Sequence, residues 1–152
     1  MATFSKWLGV GFSYLRWPFE AFYIRSQGGS LTVKSDIRIY FIFCDKWLTI
    51  PKGFEHDHFS WSPNLPRSIG GICHDYAFAF AQWDDGTKIS FAQSRNIMRD
   101  ILTDEGWPRL TVAKYVKGVN TILARGMWQK YRERDGENSG RFKALTGRDL
   151  TL

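Results

Sequence analysis

The chain has 152 residues, enough for one domain with a real core, and its 43% apolar and 24% charged residues suit a soluble globular protein. A formal net charge of +6 favours acidic partners, either anionic lipid headgroups or the acidic surface of a larger assembly. The excess is diffuse, and no dense Lys/Arg block interleaved with aromatics is present, so nucleic acid is disfavoured as a partner.

The first segment, MATFSKWLGVGFSYLRWPFEAFY, is apolar and aromatic. Arg16, Pro18 and Glu20 interrupt it too early for a bilayer span, and it lacks the continuous apolar core of a signal peptide. Production in the cytoplasm without export is therefore expected. Trp7, Leu8, Phe12, Leu15 and Phe19 recur at helical spacing, a stripe expected to pack against its own domain. Gln27 to Ser30 (QGGS) is a turn signal. Beyond it, Ile37, Ile39, Phe41 and Phe43 alternate with Arg38, Tyr40 and Ile42, the period of a half-buried strand. Asp45-Lys46 turns into a second short strand, WLTI, which Pro51-Lys52-Gly53 ends.

Phe54 to Arg67 reads as a loop, broken by Pro63, Asn64 and Pro66. A first helix is expected from a Ser68 cap, over 68–83, its early Gly70 and Gly71 permitting close backbone packing. Asp84 to Lys88 is a turn, and a second helix over 90–105 stops at Gly106. A third, over 110–134, sets Val112, Tyr115, Val116, Val119, Ile122, Leu123 and Met127 on one face. From Asp135 the chain turns polar and glycine-bearing, so 135–152 is expected as a flexible or partner-ordered tail on a single domain over 1–134. The fold class is α+β: a small antiparallel sheet or hairpin over 31–50, then a three-helix part. Cys44 and Cys73 lack metal-pair spacing and are expected as buried, reduced thiols.

All three histidines fall between Gly53 and Phe78. His74 and Asp75 are adjacent on the first helix, about 100° apart, so they can serve one cleft but are not an i,i+4 ligand pair. His56 and His58 flank Asp57; on an extended segment the two imidazoles share one side. Three chemistries compete for this constellation. His74 can be a general base activating water while Asp75 and loop oxygens hold a hard cation, Ca²⁺ fitting better than Zn²⁺. Alternatively His56, His58 and His74 gather with an aspartate around a transition metal. In the third reading His74 braces buried polar groups and Asp57 satisfies loop amides. Candidate metal ligands are thus Asp57, Asp75, His56 and His58, and the residues expected to meet substrate are Ser60, Trp61 and Phe78.

The run IPKGFEHDHFSWSP, then ICHDYAF, then a helix such as SRNIMRDIL, resembles a family of small phage and prophage proteins, domain of unknown function one-three-five-three. That family's pattern is approximately P-x-G-F-x-T-D-x-A-S-x-P followed by H-D-x-x-Y. Pro51, Gly53, Phe54, Asp57, Ser60, His74 and Asp75 match it, and the resemblance covers about Leu31 to Trp128. The same motif is similar to that of bacterial secreted phospholipases of the A-two type. That likeness implies His74 as the base and Asp75 as a calcium ligand, with oxygens from the Asp57–Ser60 loop. Three departures from the pattern bear on its chemistry. His56 stands at the threonine position, Phe78 at the tyrosine, and Arg95 at the second-helix aspartate, where a cation opposes a developing imidazolium. The resemblance implies a phage-encoded accessory protein on a hydrolase-like fold, a virion- or tail-associated structural or binding component. Its partners would be other phage structural proteins or an anionic membrane surface, and it would be made in the bacterial host cytoplasm and incorporated in the virion. The alternative it implies is a divalent-cation-dependent hydrolase acting on lipid or ester.

Overall fold

The structure, a computed structural model, describes residues 5–7, 23–25, 31–56 and 68–151. It is α+β, as expected. Strands β1 (Ser5–Trp7), β4 (Ile37–Phe41) and β5 (Lys46–Ile50) form one antiparallel sheet in the order β1-β4-β5. Strands β2 (Tyr23–Arg25), β3 (Leu31–Val33) and β6 (Glu55–His56) form a second, in the order β2-β3-β6. Five helices are described: α1 (Gly70–Phe80), α2 (Phe91–Asp104), α3 (Arg109–Gly118), α4 (Ile122–Glu133) and α5 (Asp135–Thr146).

The β4–β5 hairpin follows its alternation. Ile37, Ile39 and Phe41 are buried and Arg38 is exposed, while Ile39 pairs with Leu48 and Ile37 with Ile50 in register. The turn between them places Asp45 at φ 53°, the left-handed region that aspartate tolerates. Trp7 belongs to β1 and pairs with Ile39; the rest of the expected helical stripe, Leu8, Phe12, Leu15 and Phe19, lies outside the described residues.

Helix α1 is buried on all sides, and Asp75 is its one half-exposed residue. A helix apolar all round belongs in the middle of a domain, and Ile72, Cys73, Tyr76, Ala77 and Phe80 join the sheet residues Ile39, Phe41, Leu48 and Ile50 in one core. A Cβ on Gly70 would lie 3.0 Å from a Leu102 methyl, so this glycine lets α1 approach α2 closely. Ser68 Oγ accepts from the Gly70 N–H at 3.1 Å, one residue ahead of the cap residue Ile69. The helix stops at Phe80 rather than Trp83, because Ala81 turns left-handed at φ 49°. α2 begins as expected, with a reciprocal capping box between Ser90 and Gln93.

Two expectations are corrected. The third helix is two helices, broken over Val119–Thr121 where Thr121 Oγ1 caps the Ala124 N–H at 3.1 Å. Val112 and Tyr115 pack on Met98 and Leu102 of α2 with Val116 and Val119 beside them, whereas Ile122, Leu123 and Met127 are exposed. The 135–152 segment, expected as a flexible or partner-ordered tail, instead forms α5 and returns to the core. Phe142 is 1% exposed and packs on Phe80 at 5.3 Å between ring centroids. One buried aromatic outweighs a polar composition, because the other side chains of the segment can stay at the surface.

Cys73 is fully buried and Cys44 half-buried, both as free thiols. Burial raises the Cys73 thiol well above its ordinary range, helped by the charges of Glu105 and Asp75. Burial likewise pushes Cys44 up to about 11. Both thiols therefore stay protonated at neutral pH, and their share of stability, full below the ordinary value of 9.0, declines as pH rises toward 11. In the folded protein at pH 8, alkylation of both is expected to be far slower than in denaturant, as read by mass spectrometry. Equal rates in the two conditions would contradict the burial.

Candidate functional site

His74 lies mid-way along α1, on the face that looks toward α4. Its ring stacks at a tilt on Phe78, one turn on, with 5.5 Å between centroids. Phe78 in turn meets Trp128 at 5.2 Å and Tyr131 at 5.4 Å, both edge-on and both from α4. Phe78, expected to meet substrate, is thus a packing residue between two helices. Asp75 is half-exposed beside it, and its Oδ1 lies 3.6 Å from His74 Nδ1. That is an electrostatic distance, longer than a hydrogen bond. His74 Nε2 is buried and has no hydrogen-bond partner among the described residues.

The opposite charges that hold α1 sit at its two ends, and neither was foreseen. At the start, Glu105 Oε1 accepts from the Ile69 N–H at 3.1 Å, and its Oε2 accepts from Trp107 Nε1 at 2.6 Å. At the close, Arg132 donates to the carbonyls of Phe78 and Ala79, each at 2.7 Å. A helix offers bare N–H groups at one end and bare carbonyls at the other, so an anion suits the first and a cation the second. The Arg132 guanidinium also lies 4.8 Å from the Trp128 ring centre, and burial lowers its pKa from the ordinary value. The only hint of Glu105 in the sequence is its place before the Gly106-Trp107-Pro108 stop. Arg132 has none, because its target is more than fifty positions away.

No carboxylate of α2 pairs with His74 among the described residues. Arg95 is half-buried on that helix; the neighbouring Ser94 is buried and returns its hydroxyl to the Phe91 carbonyl at 2.7 Å. Asp100 is 1% exposed, accepts from Arg99 Nε at 3.2 Å, and bears electrostatically on Cys44. The remaining expected site residues, Asp57, His58, Ser60 and Trp61, lie outside the described residues. His56 is the last residue of β6, paired with Leu31.

Calcium takes six to eight oxygens, and a structural zinc takes four N or S ligands. Among the described residues no group of three or more His, Cys, Asp or Glu side chains could hold a metal ion, and Asp75 is the one expected ligand whose side chain is placed. What they do make is a helix-borne imidazole packed on an aromatic ring, with the Asp75 carboxylate 3.6 Å from its Nδ1. Nucleophile activation needs a base oriented by a third group, and among the described residues the ring contact on His74 is the phenyl of Phe78.

Comparison with known protein families, with curated proteins and with solved structures finds no match to this chain.

Proposed function

We propose that this chain is a small phage-encoded accessory protein, a virion- or tail-associated structural or binding component on a hydrolase-like fold. The phage assignment draws on the resemblance of the Pro51–Ser60 and His74-Asp75 motifs. The non-catalytic reading draws on one observation: the His74 ring packs on Phe78, which is itself wedged edge-on against Trp128 and Tyr131 of α4. A histidine so placed contributes packing area and shape. Among the described residues its Nε2 makes no hydrogen bond that the substitution would remove, so His74→Leu is expected to fold normally with an unchanged or higher melting temperature.

The same Nε2 is the observation in favour of a second reading, a divalent-cation-dependent hydrolase with His74 as base and Asp75 as a ligand. A base must present a bare nitrogen, and this one is bare among the described residues. Hydrolysis of phospholipid and of a chromogenic ester, with calcium and with chelator, separates the two for wild type and His74→Ala. The accessory reading expects no turnover above background in either protein. Calcium-dependent turnover that vanishes in His74→Ala, with the variant's fold intact, would replace it with the hydrolase.

A further inference from the structure

The break between α3 and α4 leaves apolar side chains with no place in the core. On α3 and its cap, Val112, Tyr115, Val116 and Val119 face α2, and the opposite stripe, at i, i+4 and i+7, is Leu110, Lys114 and Lys117. On α4 the inner face is Ala124, Trp128, Tyr131 and Arg132, and one outer stripe, at i, i+4, i+7 and i+11, is Leu123, Met127, Lys130 and Arg134. Ile122 stands beside it at the turn, 89% exposed, with Leu123 at 73%. Between Arg109 and Arg134 the chain carries seven Lys or Arg and one acidic residue, Glu133. Arg132 turns inward to α1, and the other six are exposed along the same two helices as the protruding apolar side chains.

We propose that the α3–α4 surface docks on an anionic lipid bilayer, with Ile122, Leu123 and Met127 entering the headgroup–acyl boundary and Lys117, Lys130 and Arg134 meeting lipid phosphates. The choice among occupants follows from chemistry. A second copy would oppose like charge to like charge. Nucleic acid satisfies the cations but offers the branched side chains nothing, whereas a bilayer satisfies both. Side chains this exposed are knobs that insert, not the half-buried walls of a groove that receives a helix. The inference deepens the binding role proposed above by naming its partner, and it holds whether or not His74 turns over a substrate.

The test is co-sedimentation of the full chain with vesicles of phosphatidylglycerol and phosphatidylcholine against vesicles of phosphatidylcholine alone. Binding is expected to the first and not the second, and to weaken as salt rises. Ile122→Ser with Leu123→Ser is expected to lower the apparent affinity by about tenfold or more. Lys130→Glu with Arg134→Glu should lower it by at least as much at low salt, and Lys52→Glu, in the exposed turn after β5, should leave it unchanged. All these residues are exposed, so circular dichroism and melting of the variants should match wild type. Absence of binding to the anionic vesicles overturns the proposal. So does binding that ignores the Ile122 and Leu123 substitutions, or a solution dimer abolished by them. Duplex DNA that displaces the vesicles and binds the serine variant as tightly as wild type also assigns the surface to another partner. Lipid hydrolysis read on the same vesicles keeps the two proposals apart: His74-dependent turnover would remove the non-catalytic reading and leave the docking surface standing.

Discussion

A chain ending at Arg134 is expected to lose cooperative folding, and Phe142→Ala in the full chain to lose about 3–5 kcal/mol of stability. The reasons are physical and local. Phe142 closes the core against Phe80, and Leu150, 7% exposed, adds to the same cluster. Three polar ties then fasten the last residues to the turn after α1. Arg148 donates to the Asp84 carbonyl at 2.9 Å, the Thr151 N–H donates to Gln82 Oε1 at 2.5 Å, and Gln82 Nε2 donates to the Asp149 carbonyl at 3.4 Å. Removing α5 uncovers Phe80 and leaves Gln82, 4% exposed, without those partners. A domain whose whole stability is about 5–15 kcal/mol does not absorb both losses. For Phe142→Ala the midpoint of thermal unfolding should fall by roughly 10 °C. A drop of only a degree or two, or a sharp transition for the shortened chain, would mean that the helix merely rests on the domain.

This helix also marks where reading the sequence stops working. The alternation of Ile37, Ile39 and Phe41 was legible because a strand repeats every two residues, and the second helix was legible from its apolar spacing and the Gly106 stop, although its Ser90–Gln93 capping box was not read. α5 has no such pattern: its buried residues are Asn138 and Phe142, one turn apart, and a single apolar anchor does not make a period. The α3–α4 break misled in the opposite way. The apolar spacing runs on smoothly through Val119, Ile122 and Leu123, and only the Thr121 hydroxyl, by capping Ala124, restarts the helix on a new axis. Seven residues expected on one buried face are therefore divided between a helix interface and a surface.

The site was legible to the same depth. His74 and Asp75 are neighbours in the chain, so their proximity needed no fold to establish it. Their surroundings did, because Trp128, Tyr131 and Arg132 arrive from more than fifty residues downstream. A motif states which groups are present. Whether an imidazole can act depends on what orients it, and that is decided by packing.

Arg132→Ala is expected to cost about 2–3 kcal/mol, the next largest loss, and to act on α1 rather than on α4. The last carbonyls of a helix have no partner inside it; the Ala81 N–H takes that of Ala77, and Arg132 serves those of Phe78 and Ala79. Taking the guanidinium away leaves two carbonyls short of donors beside a left-handed residue that already holds an unfavourable φ. Arg132→Met keeps most of the stem that covers Trp128 and removes only the donors, so it should retain the packing share of the effect and lose the rest. Arg132→Lys retains the charge but offers a single nitrogen at the end of a flexible stem, and should fall between methionine and wild type. Thermal unfolding gives the sizes, and amide exchange gives the place: the amides of Phe80 to Gln82 should exchange faster in Arg132→Ala than in Arg132→Lys. The Phe78 ring, released at its backbone, would then hold His74 less firmly, and the imidazole proton signals should broaden in the same order. Should exchange at the end of α1 stay as slow as in wild type while stability drops, the loss belongs to Trp128 packing and the two carbonyl bonds carry little.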